Sequence, residues 1–267
     1  MRSTSLMTTG IAVLAALAGA LPASAQTMMP PTRITDAQVF GFLQSLPPES
    51  ARSLGALVNG LLADTLGHMR MAERRVATRA DTKRAAAAVR TMRSNLARYK
   101  DVSVAEQDGY ALFLPWLKEQ AVYHYNNMQN AGAARGAFDA SKPTSLLYRG
   151  KPDGTKVLIG AMYTAPATST PDELDARLPL GIAHWHEHVN FCAMSPYVAM
   201  AGMQAGDTSI FSKWLAVETQ DACTAAGGMF IPQLFGWMTH VNAFAGDKAS
   251  TIWGSHGRDQ MHMHHAH

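Results

Sequence analysis

His184, His186 and His188 occupy every second position of the segment 181–192. In an extended strand alternate side chains share a face, so these imidazoles and Asn190 point one way while Ala183, Trp185, Glu187 and Val189 point the other. Neutral imidazole is a common ligand for first-row metals, and a row of imidazoles on one face of a sheet is a way of presenting it. Spacing limits how many can share one ion. Positions i and i+2 of a strand are about 6.5 Å apart and i and i+4 about 13 Å, whereas a zinc-nitrogen bond is about 2 Å. An adjacent pair can chelate, and further ligands must come from other strands. His124-Tyr125-Asn126 and His240-Val241-Asn242 repeat the His-x-Asn pattern of His188-Val189-Asn190. The pattern predicts one shared site with His186, His188 and His240 as ligands and His184 and His124 next in order. Asn126, Asn190 and Asn242 would orient imidazoles or a bound water, although strand-edge positions would suit them equally. A general acid-base cluster without metal and a hydrogen-bonded structural cluster are the competing readings. His68 stands apart and reads as structural.

The C-terminal tail adds Met261, His262, Met263, His264, His265 and His267. Thioether and imidazole donors together favour copper, although short His-rich tracts also bind nickel and zinc, and such a tail would load or buffer metal rather than catalyse; for the strand site copper comes first, with zinc and iron as alternatives. A disordered end of accidental composition would look the same. Cys192 and Cys223 are the two cysteines. In an oxidising compartment they are expected to form a disulfide. The alternative makes Cys192, which has the parity of the histidines, a thiolate ligand in a copper electron-transfer site.

The compartment is read from the N-terminus. Arg2, an apolar run over 11–21 and Ala23-Ser24-Ala25 before Gln26 have the form of a secretory signal peptide, and the run is too short to span a bilayer. A mature chain of about 240 residues is expected to begin at Gln26 in the periplasm or outside the cell, with no stable membrane span. The formal charge of +3 is too small to argue for a nucleic-acid partner. Basic residues over 70–98 alternate with Glu73, Asp81 and many alanines, which reads as a solvated helix face.

The elements that must position the histidines fall into two stretches. After a linker over 26–34, apolar spacing predicts helices starting at Thr35-Asp36 and over 51–67, and alanine- and arginine-rich composition a third over 82–99, giving a helical segment at 35–100. From 101 to 250 come short apolar and aromatic runs punctuated by Pro and Gly, at 111–117, 121–126, 145–148, 157–164, 181–192 and 236–244. These read as strands. Thr170, Pro171 and Glu173 spell a helix start with a capping box, and another helix is expected over 211–226 before Gly227-Gly228. The loop 227–232 would line a pocket ahead of the His240 strand. The expected fold is therefore α+β: a helical N-terminal layer, then a mostly antiparallel sheet or small barrel carrying the histidine cluster, then the tail at 251–267.

Methionines 194, 200 and 203 and tryptophans Trp185, Trp214 and Trp237 read as core or pocket wall. Tyr123, Tyr125 and Tyr163 would bear on redox chemistry only if they lay beside the metal. There is no Walker loop, no Gly-x-Ser-x-Gly elbow and no His-Glu-x-x-His helix.

At His124-Tyr125-x-Asn127, at Ser145-Leu146-Leu147-Tyr148 followed by 157–166, and at His186-x-His188, the chain resembles a group of exported bacterial proteins of unassigned activity. The resemblance covers about 101–242 and implies a secreted domain. The His-x-His strand is also similar to that of cupin barrels, with Gly181, His186, His188 and His240 in the matching places. It departs from cupins in lacking their Glu within 189–199 and in its helical first half. Copper polysaccharide monooxygenases use an N-terminal histidine, which Gln26 does not supply.

The expectation is an exported metal-binding protein, copper first, that either handles metal or uses it in redox catalysis. Its partners would be a metal ion and, for an enzyme, a small-molecule substrate, with an oxidoreductase favoured over a hydrolase. The alternative is a non-metal envelope or ligand-binding protein with a structural or pH-sensitive histidine cluster.

Overall fold

The computed structural model describes residues 68–113, 115, 120–193, 205 and 216–254. The expected signal peptide, linker and helices before residue 68, the first part of the helix expected at 211–226, Trp214, the three methionines at 194–203 and the Met and His residues at 261–267 lie outside them. Two compact units divide the chain: one of Met1–His68, Leu114–Glu119 and Val189–Gln233, the other of Met69–Phe113, Gln120–His188 and Leu234–His267.

Antiparallel pairing dominates the fold, and the α+β expectation holds. Seven described strands form one sheet: β1 (Met69–Met71), β2 (Ala111–Leu112), β3 (Tyr123–Asn126), β4 (Ser145–Gly150), β5 (Lys156–Ala165), β6 (His186–Ala193) and β7 (Met229–Val241). Their order across the sheet is β1-β6-β7-β5-β4-β3-β2. Registered pairs include Met71 with His186, His124 with Leu147, Ser145 with Met162 and Met162 with His240.

In the larger unit a helix, α1 (Arg79–Leu96), covers one face of the sheet. Its start is set by a reciprocal capping box between Thr78 and Asp81. Ala85, Val89, Met92 and Leu96 recur at helical spacing and are its buried residues, a single apolar stripe. That stripe belongs to the same core as Leu146 and Tyr148 of β4, Ala161 and Tyr163 of β5, Val241 of β7 and Trp185. Alternation sends Leu147 to the other face, where it packs with Val122, Ile159 and Met162. Shorter helices follow in α2 (Val102–Gln107), α3 (Met128–Ala133) and α4 (Pro171–Arg177). Helix α4 begins as its sequence implies, with Thr170 capping, Pro171 in the first turn and Glu173 closing the box. The unit ends with α6 (Ala249–Trp253), which follows α5 (Gln220–Ala225) of the smaller unit.

In the smaller unit, Cys192 on β6 and Cys223 on α5 form a disulfide with Cα atoms 5.4 Å apart. With its sulfur committed there, Cys192 is not a thiolate ligand in this state. His68 accompanies it in that unit, stacked on Phe191 at 4.7 Å and with Nδ1 3.2 Å from the Val189 carbonyl. Among the described residues no helix is long and apolar enough to cross a membrane.

Three local expectations change. The arginine stretch does not begin as a helix: Met69-Arg70-Met71 is the edge strand β1, and Arg70 pairs with the buried Glu187 rather than facing only solvent. Strand β6 begins at His186, because the preceding chain turns on Pro179, whose carbonyl accepts from the amides of Ile182 and Ala183. The segment 229–232, expected as a loop, opens β7, whose extended course runs through Pro232.

Candidate functional site

The strand parity of 186–188 survives folding. Glu187 turns to the helix-covered face, where it is fully buried and paired with Arg70, and the Arg70 guanidinium lies 6.0 Å from the centre of the Trp237 ring. His186 and His188 take the opposite face, each only 5 % exposed. Glu187 is thereby removed from any role beside the imidazoles.

His240 of β7 and His124 of β3 join them. The rings form a row: His124 to His240 with centroids 5.6 Å apart, His240 to His186 at 5.1 Å, and His186 to His188 at 5.8 Å, edge-on. His124 Nε2 and His240 Nε2 stand 3.4 Å apart. Two nitrogens bound to one tetrahedral ion at about 2.0–2.1 Å stand roughly 3.3 Å apart, so this pair already has the spacing of two ligands of one metal.

Strand order alone would not bring them together. β3 and β7 are separated by β4 and β5, about 14 Å in a flat sheet. The sheet must therefore curl toward the imidazole side. Leu147 pairs with Gly160 and Tyr148 with Leu158, which leaves Ile159 as the extra residue of a bulge in β5, the kind of irregularity that bends a strand. Gly160 permits the close approach of the chain, since a Cβ there would stand 2.0 Å from the Val241 carbonyl oxygen.

Proton placement follows from the partners of the rings. His124 Nδ1 lies 3.2 Å from the Val122 carbonyl and His186 Nδ1 lies 3.3 Å from the His184 carbonyl. A carbonyl oxygen only accepts, so in both rings Nδ1 carries the hydrogen and Nε2 keeps the lone pair when the ring is neutral. Backbone carbonyls commonly fix metal-binding histidines in this way. Burial favours the neutral state and pushes the His124 pKa down to about 4, the contact with Val122 opposing it.

The other candidates fall elsewhere. His184 precedes the strand, and its carbonyl rather than its ring serves His186. Burial lowers its pKa, with the Arg74 charge acting the same way. Asn126 accepts a hydrogen bond from the Ser145 hydroxyl at 2.6 Å, and the Asn242 amide donates to the Thr251 carbonyl at 3.2 Å. Asn190, in the smaller unit, has φ of 61°, a left-handed conformation that Asn tolerates better than most residues. Tyr125 and Tyr163 belong to the helix-side core, with the Tyr163 hydroxyl donating to the Ala140 carbonyl. Tyr123 lies under the Lys156 ammonium at 5.1 Å.

Among the described residues no three His, Cys, Asp or Glu side chains already stand in a metal-holding arrangement. What is built is one nitrogen pair at ligand spacing with further imidazoles beside it. The edge strand β1 was missed because three residues are too few to show a period; its signal was the alternation Met69-Arg70-Met71. In comparisons with known proteins, no family model, no curated protein and no solved structure matches the chain.

Proposed function

We propose that the chain is an exported metal-binding protein whose imidazole row, His124, His240, His186 and His188, holds one first-row transition ion, copper before zinc or iron. The observation that carries this reading is the 3.4 Å separation of His124 Nε2 and His240 Nε2, contributed by strands that are not neighbours. A hydrogen bond between two imidazoles would account for the contact alone. It would not account for a row of rings on one face in which His124 and His186 both keep the lone pair on Nε2. An all-nitrogen donor set binds divalent copper more strongly than the other divalent first-row ions, including zinc. Ligand recruitment requires rotation of His186 toward the pair, a change of rotamer rather than of strand register. Export rests on the N-terminal signal pattern, and the disulfide accords with it.

Elemental analysis of the full chain, exported and purified without an affinity tag, tests the reading. About one copper per chain is expected beyond whatever the tail retains, and the His124→Ala/His240→Ala variant should lose that equivalent while keeping the wild-type circular dichroism spectrum. Equal copper in wild type and variant would overturn the site and leave the histidines as a structural or pH-sensitive cluster.

A further inference from the structure

Between β1 and α1 the chain crosses open surface. Residues 72–78 form no helix, strand or turn, and 73–78 are exposed, Val76 by 92 %. The Ala72 amide donates to the Trp185 carbonyl at 2.8 Å, and the next bonded amide is that of Thr78, which donates to the Asp81 carboxylate at 2.9 Å. Among the described residues, no backbone group of 73–77 has a hydrogen-bond partner. Contacts from side chains brace the span instead. Arg74 donates to the Gly181 carbonyl at 3.1 Å and Arg75 pairs with Asp172. Ala77 packs so closely on Gly181 that a Cβ there would stand 2.7 Å from the Ala77 Cα.

An arginine-specific serine protease takes its substrate as an added strand, with an arginine side chain in an acidic pocket. It needs a stretch whose backbone N–H and C=O groups are free, and helices and sheets commit those groups to their own hydrogen bonds. The other described arginines and lysines lie in helices, paired strands or hydrogen-bonded turns and caps. We propose that the Arg75–Val76 bond is a processing site for a protease of trypsin-like specificity, open to it in the folded protein. The ion pair of Arg75 with Asp172 is exposed and therefore weak, so the guanidinium can leave it for the carboxylate of the protease pocket. Hydrolysis adds water across the bond: the carbonyl carbon of Arg75 gains a hydroxyl and the nitrogen of Val76 leaves as an amine. Both cysteines of the disulfide lie after the cut, so the bridge does not join the two pieces. Strand β1 does, because it lies before the cut, pairs with β6 and sets Arg70 on the buried Glu187. The product is a nicked protein that keeps its N-terminal piece at the sheet edge.

The test is brief digestion of the full chain by dilute trypsin in native buffer, read by intact mass and N-terminal sequencing. A fragment beginning Val76-Ala77-Thr78 is expected as the first product cut within the described residues. Urea below the unfolding transition should change its rate by less than about twofold, because the bond is open without unfolding. The Arg74→Gln/Arg75→Gln variant should form it at least about tenfold more slowly while the circular dichroism spectrum stays as in wild type. Val76→Pro, which keeps both arginines but removes the amide N–H after the cut, should protect the bond as well. The nicked chain should elute as one species in native buffer and as two in urea. A span that stays intact while other described bonds are cut would overturn the proposal, and so would a rate that climbs steeply with urea. Departure of the N-terminal piece in native buffer would overturn its retention by β1.

Discussion

His124 is the residue at which structure and pH dependence meet. Its folded pKa is held down near 4 by burial, against about 6.5 in the unfolded chain. Between these values the unfolded state binds the proton and the folded state does not, so acid favours unfolding. Stability is full above about pH 6.5, falls as the pH drops toward 4, and the loss is complete below that; the shift sets an upper bound of about 3 kcal/mol. His184, lowered by burial and by Arg74, contributes with the same sign. Urea unfolding of the chelator-treated protein at pH 7.5 and pH 4.5 should show the decrease, and His124→Gln, which cannot be protonated in this range, should flatten it. An unchanged slope in that variant would assign the acid sensitivity to other groups. The same residue shows what a sequence conveys: the His-x-Asn triplets pointed to His124, His188 and His240 as one group, whereas the Nε2 contact depends on sheet curvature that no local pattern encodes.

At the scale of elements, legibility follows the range of the determining interaction. The start of α4 was readable because Thr170, Pro171 and Glu173 act within one turn. The helix at 79–96 was readable, at 82–99, from its alanine- and arginine-rich composition rather than from its apolar stripe, and the parity of β6 from alternation. The entry to β6 and the full length of β7 were not, because the first depends on a turn around Pro179 and the second runs through Pro232, a residue that reads as a strand breaker. Gly160 combines both scales. It reads as an ordinary small residue, yet an added methyl would meet the Val241 carbonyl at 2.0 Å, and backbone cannot yield as a flexible side chain does. Gly160→Ala should therefore displace β7 against β5 and cost about 1–3 kcal/mol or more. Because Val241 follows His240 directly, the copper proposed for the imidazole row should also be lost in the variant, whereas Gly154→Ala, where a Cβ meets nothing within 4 Å, should cost only the local strain of φ 82° and leave metal content as in wild type. Thermal melts and metal content read both outcomes.

For the whole molecule, the disulfide links stability to compartment. Cys192 and Cys223 are separated by 31 positions, and closing a loop of that length contributes about 3–4 kcal/mol in the chain-entropy model. A stabilisation of that size is a large share of what an ordinary domain has. The bridge lies in the smaller unit, while the imidazole row lies in the larger one. Reduction should thus lower the denaturation midpoint without removing any of the ligands proposed above. The Cys192→Ser/Cys223→Ser variant is expected to unfold at lower denaturant in the presence and absence of reductant alike, and wild type to match it only when reduced. Copper stoichiometry in native buffer should stay unchanged in the variant. If loss of the bridge instead abolished copper binding while the larger unit stayed folded, the proposal that the imidazole row alone holds the ion would fail. Under the proposed export, the companion measurement is intact mass, which should correspond to a chain beginning at Gln26 and lacking the two thiol hydrogens; a mass that retains residues 1–25 would overturn the signal reading.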